Sequence, residues 1–176
     1  MNKQGKQTLI LGGARSGKSA YAESLAEGWK GERIFIATAQ AHDEEMAERI
    51  KTHRLRRGQD WTTRGALLDL SGVLREIASQ DTFVLVDCLT LWLTNVILSE
   101  EDHERAVSDL LNALTDVPGT IVLVSNEVGS GIVPGNELAR TFRDAAGKAN
   151  QRVAKAVDEV VLVTAGLPMV LKPSTT

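Results

Sequence analysis

The chain has a single cysteine, Cys88, which excludes an internal disulfide. Aromatic residues make up only 4% and the net charge is −3, so both the stacking residues and the basic stripe of a general nucleic-acid binder are missing. No apolar run approaches the ~20 residues that span a bilayer. The N-terminal MNKQGKQ lacks the apolar core of a signal peptide. No Pro/Ser-rich linker or charge block divides the 176 residues, and no repeat of fixed period runs through them. These absences leave one globular domain, residues 1–176, expected in the cytoplasm. Its 43% hydrophobic and 24% charged residues suit that class, and any cationic site must be local.

What is present centres on TLILGGARSGKSAYAE, Thr8 to Glu23. An apolar, β-prone run leads into GGARSGKS, a full match to G-x-x-x-x-G-K-[ST], and a helical pattern follows from Lys18. Gly12, Gly13 and Gly17 let backbone N–H groups turn inward on a phosphate that a Cβ would keep away. Ala14, Arg15 and Ser16 complete the loop. The helix adds its positive dipole end. Lys18 is placed to reach the β- and γ-phosphates as a point charge, and the Ser19 hydroxyl to ligate the Mg²⁺ that bridges them.

Further along, Arg33 to Ala37, Phe83 to Asp87, Thr120 to Ser125 and Glu159 to Thr164 read as strands. Their near-continuous apolar character suits parallel strands covered on both faces. Met169 to Lys172 reads as an edge strand whose pairing Pro168 and Pro173 limit. Helical patterns cover His42 to about Lys51, Leu67 to Ser79, Leu89 to Leu98, His103 to Leu114, and Glu137 to about Val157. This alternation predicts a three-layer α/β P-loop NTPase fold, RecA-like, with a mainly parallel sheet.

Three features beyond the P-loop carry candidate chemistry. Asp87 ends the FVLVD strand, where an acidic residue can hold Mg²⁺; the alternative is a turn or N-cap aspartate. Cys88 beside it reads as a small core residue. Arg49 to Arg64 concentrates six cations, among them Arg54, Arg56 and Arg57, against the one acid Asp60. This segment is either a solvated helix end or an anion site built from guanidinium forks. His53 stands among these cations, which favour its neutral form and leave a ring nitrogen able to attack an α-phosphate; spacing alone does not establish that role. The third feature, Ser125 to Val153, begins at a strand end. Asn126 and Glu127 should emerge on the P-loop edge, followed by a loop with Gly129, Gly131 and Gly135 that could close over a substrate. Arg140 and Arg143, three apart on the next helix, are candidates to clamp phosphate, against the alternative of a solvated helix face.

Taken together, these blocks resemble the bifunctional adenosylcobinamide kinase/adenosylcobinamide-phosphate guanylyltransferases of cobalamin biosynthesis. The matching pieces are GGARSGKS from Gly12, IATA from Ile36, DEEMAERI from Asp43, His53-Arg54 with Arg57, and Trp61. VDCLTLWLTN from Val86, SNEVGSGIVP from Ser125 and ARTFRDAAGKANQ from Ala139 follow in the same order. The resemblance implies that His53 takes up GMP covalently from GTP. It also implies that Ala37, Thr38 and Ala39, the stretch Arg54, Leu55, Arg56 and Arg57, and Asp87 contact nucleotide. Mg²⁺, ATP or GTP, the corrinoid adenosylcobinamide and a homo-oligomeric state are likewise implied.

One departure stands out. Relatives commonly carry glutamate shortly after the Trp-x-Thr step, whereas here Arg64, Gly65 and Ala66 follow Thr63. That carboxylate's role is either lost or passed to Asp69. Two other classes share some of the pattern. A monofunctional P-loop metabolite kinase would lack the covalent histidine, and a RecA-like nucleic-acid ATPase would need the basic, aromatic stripe that is missing here.

Overall fold

In the computed structural model, residues 5–39, 48 and 60–174 are described. The expected helix from His42 to about Lys51, and His53, Arg54, Leu55, Arg56 and Arg57, lie outside these residues.

The strands are β1 (Gln7–Gly12), β2 (Glu32–Ala37), β3 (Trp61–Gly65), β4 (Thr82–Asp87), β5 (Thr120–Asn126), β6 (Glu159–Thr164) and β7 (Leu167–Lys172). They form one sheet in the order β3-β2-β4-β5-β1-β6-β7. All neighbours pair in parallel except β6 and β7, which are antiparallel. The helices are α1 (Lys18–Ser24), α2 (Leu70–Ile77), α3 (Leu89–Leu98), α4 (His103–Asp116) and α5 (Glu137–Ala156).

Alternation along each strand explains why the apolar runs are continuous. Leu9, Ile34, Ile36, Val84, Val86, Ile121 and Leu123 point to one face, where they meet Leu70, Leu74, Trp92, Leu93, Leu110 and Val153 of α2 to α5. Their neighbours Ile10, Phe35, Phe83, Leu85, Val122 and Val124 point to the other, against Ala22 and Ala26 in and just beyond α1. Both faces are thus buried, as parallel sheets require. The expected three-layer fold is observed.

Three elements differ from the sequence reading. β7 begins at Leu167 rather than Met169, so Pro168 lies within the paired strand, opposite Val163, and does not bound it. β3 is an additional edge strand, paired in parallel with β2 from Arg33↔Trp61 to Ala37↔Gly65. Four of its five residues are exposed, so it carries none of the apolar signal of the inner strands. Only Trp61 packs inward, its ring 5.9 Å from that of Phe83 in an edge-on contact. α2 begins at Leu70, later than the apolar pattern suggests, because the Asp69 carboxylate accepts the Gly72 N–H at 2.7 Å and caps the helix there.

The parallel strands all run the same way, so the ends of β1, β2, β4 and β5 form one edge. At that edge β5 and β1 are in register, Asn126 opposite Gly12.

Candidate functional site: the phosphate loop and its edge

The turn between β1 and α1 is tightly specified. A Cβ on Gly12 would collide with Ser16 Oγ and come within 2.6 Å of the Val163 carbonyl, so only glycine fits. Gly13 faces open space, with nothing within 4 Å of where its Cβ would lie. Arg15 and Gly17 adopt positive φ, 56° and 95°. The Ser16 N–H donates to the Gly13 carbonyl at 3.2 Å. Lys18, buried at 9% exposure, folds back over the loop and donates from Nζ to the same carbonyl at 3.0 Å. Ser19, the next residue of α1, is half-buried.

The loop is braced from outside by the β6–β7 turn, where Ala165 and Gly166 both have positive φ (52° and 79°), as a tight two-residue hairpin demands. The Gly166 N–H donates to the Ser16 carbonyl at 2.8 Å, and its Cα would lie 3.1 Å from a Cβ on Gly17. The sequence signal for this brace is the Ala-Gly pair between two β-prone runs, which carries no hint of its contact with the loop.

Asp87, half-buried, ends β4 one strand removed from β1, and the Asp87–Cys88 peptide is cis. Cys88 is buried, and its thiol is pushed up to about 11, first by burial and then by the Asp87 carboxylate. It is therefore a protonated core thiol, as its neighbours in the strand suggest. At the end of β2, Thr38 is fully buried. Its hydroxyl donates to the Cys88 carbonyl at 2.8 Å and accepts the Cys88 N–H at 2.9 Å. The Thr38 carbonyl accepts from Asn95 Nδ2, also at 2.8 Å. Thr38 thus ties β2 to β4, while Ala37 and Ala39 flank it half-buried.

At the end of β5, the Glu127 N–H donates to the Gly12 carbonyl at 3.0 Å, fastening this strand end to the loop. Glu127 Oε1 accepts the Gly129 N–H at 2.5 Å, so the carboxylate shapes the start of the glycine-rich segment. Ile132 and Val133 are 98% and 61% exposed on that segment. Arg140 reaches back and donates to the carbonyls of Pro134 and Gly135 at 3.1 and 2.8 Å. Arg143 pairs with Asp144 at 3.0 Å. Among the described residues, two buried side-chain polar atoms have no hydrogen-bond partner, Ser16 Oγ and Asn126 Oδ1, and both belong to this edge. Ser16 Oγ lies against Gly12, and Asn126 stands opposite Gly12 in the sheet, so both sit beside the C-terminal end of β1.

A glycine loop between the first strand and a helix, with an acid ending a strand two places away, defines an α/β protein of the P-loop NTPase fold. Solved structures agree. The type III secretion ATPase EscN of enteropathogenic E. coli superposes with a TM-score of 0.64 at 14% identity, covering 98% of this chain and 47% of that one. The chain therefore spans about half of EscN. The flagellar accessory protein FlaH of Methanocaldococcus jannaschii gives 0.52 at 13% identity, covering 96% and 79%. At such identity the likeness is one of fold.

The chain belongs to the cobinamide kinase/cobinamide phosphate guanyltransferase family, whose model matches residues 8–171. It is 49% identical over 168 residues to the bifunctional adenosylcobalamin biosynthesis protein CobP of Pseudomonas aeruginosa, covering 93% of this chain and 96% of that protein. The corresponding CobU protein of Salmonella typhimurium is 42% identical over 179 residues, with coverage of 93% and 98%.

Proposed function

We propose that this chain phosphorylates adenosylcobinamide with ATP or GTP and then transfers GMP from GTP to the product, giving adenosylcobinamide-GDP. The observation that carries the reading is a family match over residues 8–171 that includes an intact phosphate loop. In the first step Lys18 would exchange the Gly13 carbonyl for β- and γ-phosphate oxygens, and the loop N–H groups would hold the charge as the γ-phosphoryl moves to the substrate hydroxyl.

The Ser19 hydroxyl and Asp87 carboxylate are hard oxygen donors that suit Mg²⁺, which is usually bound by one or two carboxylates together with phosphates and water. When bound, Mg²⁺ neutralises charge across the β- and γ-phosphates.

In the second step a His53 ring nitrogen would attack the α-phosphorus of GTP. The P–N bond forms, the α–β anhydride bond breaks and pyrophosphate leaves. A phosphate oxygen of the substrate then displaces the histidine, breaking the P–N bond. Arg54, Leu55, Arg56 and Arg57 would surround the nucleotide. The apolar tip at Ile132 and Val133, with Asn126, Glu127, Arg140 and Arg143, would meet the substrate. Exposed apolar residues on β7, Leu167, Met169, Val170 and Leu171, support a homo-oligomer that covers them. No described helix is long and apolar enough to cross a membrane, and the nucleotide substrates suit a cytoplasmic enzyme.

The test is product analysis: adenosylcobinamide with ATP and Mg²⁺ should yield its phosphate, and added GTP should convert that phosphate to the GDP derivative. Asp87→Asn should keep the fold but require more Mg²⁺ for half-maximal kinase rate. An unchanged Mg²⁺ titration would return Asp87 to a turn residue.

A further inference from the structure

The end of β5 is held by a closed ring of hydrogen bonds that the sheet itself does not require. The Asn126 N–H donates to Thr90 Oγ1 at 2.7 Å. Thr90 Oγ1 lies 3.3 Å from Ser125 Oγ, and Ser125 Oγ donates its one proton to Asn150 Oδ1 at 2.7 Å. Thr90 is therefore the donor to Ser125. Asn150 Nδ2 then donates to the Asn126 carbonyl at 3.1 Å, closing the ring on the residue where it began. Every hydroxyl in it accepts one bond and donates the next, the arrangement in which hydrogen bonds polarise one another.

The three supporting side chains are buried: Thr90 at 7% exposure, Ser125 at 2% and Asn150 at 7%. They come from three elements, α3, β5 and α5. Around them lie Leu93, Leu110, Ala146 and Val153, where apolar side chains would fill the space at less desolvation cost. Their joint effect falls on Asn126, which faces Gly12 in register and precedes the Glu127 N–H that binds the Gly12 carbonyl. Both main-chain groups of Asn126 are held and its Oδ1 is buried, which leaves Nδ2 as the carboxamide's donor at the strand end beside the phosphate loop. Such a neutral donor can bind a phosphate oxygen.

We propose that Thr90 and Asn150 are positioning residues for phosphoryl transfer, acting through Asn126, whose carboxamide contacts the transferring group. The inference rests on the kinase reading above. It explains why polar side chains from two helices converge beneath this strand end.

The test is a double-mutant cycle on the kinase step, with Thr90→Val (equal shape, no hydroxyl), Thr90→Ser, Asn126→Ala and the Thr90→Val/Asn126→Ala double variant. If Thr90 acts through Asn126, Thr90→Val lowers kcat by about tenfold or more while nucleotide KM stays within about twofold, the pattern of an interaction made in the transition state. Thr90→Ser restores most of the rate. The double variant is no slower than Asn126→Ala alone, because the losses share one route. A Thr90→Val enzyme with wild-type kcat overturns the proposal, as does a loss that multiplies onto that of Asn126→Ala. Should Thr90→Val not fold, Asn150→Ala, favourable to its helix, enters the same cycle with the same reading. A wild-type chain without kinase activity would remove the proposed function and this inference together. An active wild type with an unimpaired Thr90→Val removes the positioning role alone.

Discussion

Lys18 is a buried cation whose ammonium donates to the Gly13 carbonyl at 3.0 Å, which keeps the charge beside the glycine loop. Lys18→Ala removes it, and phosphoryl transfer should fall at least ~100-fold, as for loss of a group that stabilises transition-state charge. Near-normal kinase turnover in that variant would refute the loop's assignment. The turn that carries Lys18 between β1 and α1 was legible in the sequence because it depends on local spacing. Thr38 was legible only as a position: its hydroxyl is spent on the Cys88 backbone, a contact fifty residues away that no local pattern reveals. Cys88 yields a pH-dependent prediction. Its thiol is raised from an ordinary 9.0 to about 11, mainly by burial, so the native state favours the protonated form. The resulting stability is complete below pH 9 and is lost as pH rises through 11, on the order of 3 kcal/mol in all. Denaturant midpoints measured from pH 8 to 11 should fall more steeply for wild type than for Cys88→Ala. Parallel profiles would contradict the assignment.

Among the elements, the inner strands and the long helix α5 were readable because burial on two faces or on one stripe leaves a periodic apolar mark. β3 left none: it is an exposed edge, and its Thr62, Thr63 and Arg64 fell within the Arg49 to Arg64 segment read as a solvated helix end or an anion site. Recognising β3 bears on the missing glutamate. Arg64 and Gly65 end that strand, and Arg64 pairs with Glu76 of α2 at 3.5 Å. Asp69, the nearby carboxylate, accepts the Gly72 N–H and the Ser71 hydroxyl, the bonds of a helix cap. Asp69→Ala should therefore cost about 1 kcal/mol of stability and leave nucleotide KM unchanged. A raised KM with an unchanged unfolding midpoint would mean that Asp69 has taken over the glutamate's contact.

On the scale of the whole molecule, one sheet edge gathers the phosphate loop, Asp87, the Thr38 turn and the end of β5 from segments spread over more than a hundred residues. Parallel strands make this possible, since every strand delivers its C-terminal end to the same side. That convergence follows from the βαβ alternation in the sequence. The brace from Gly166 and the ring through Thr90 and Asn150 do not, because they depend on which elements pack together. The proposed covalent guanylyl transfer through His53, coupled to phosphoryl transfer at this edge, is open to a test with labelled GTP. α-labelled GTP should leave acid-labile, base-stable label on the protein, the behaviour of a phosphoramidate, while γ-labelled GTP should leave none because pyrophosphate carries that group away. His53→Asn has no ring nitrogen to attack phosphorus, so labelling should vanish while kinase activity largely persists. Undiminished labelling and guanylylation in His53→Asn would rule out His53 as the covalent carrier.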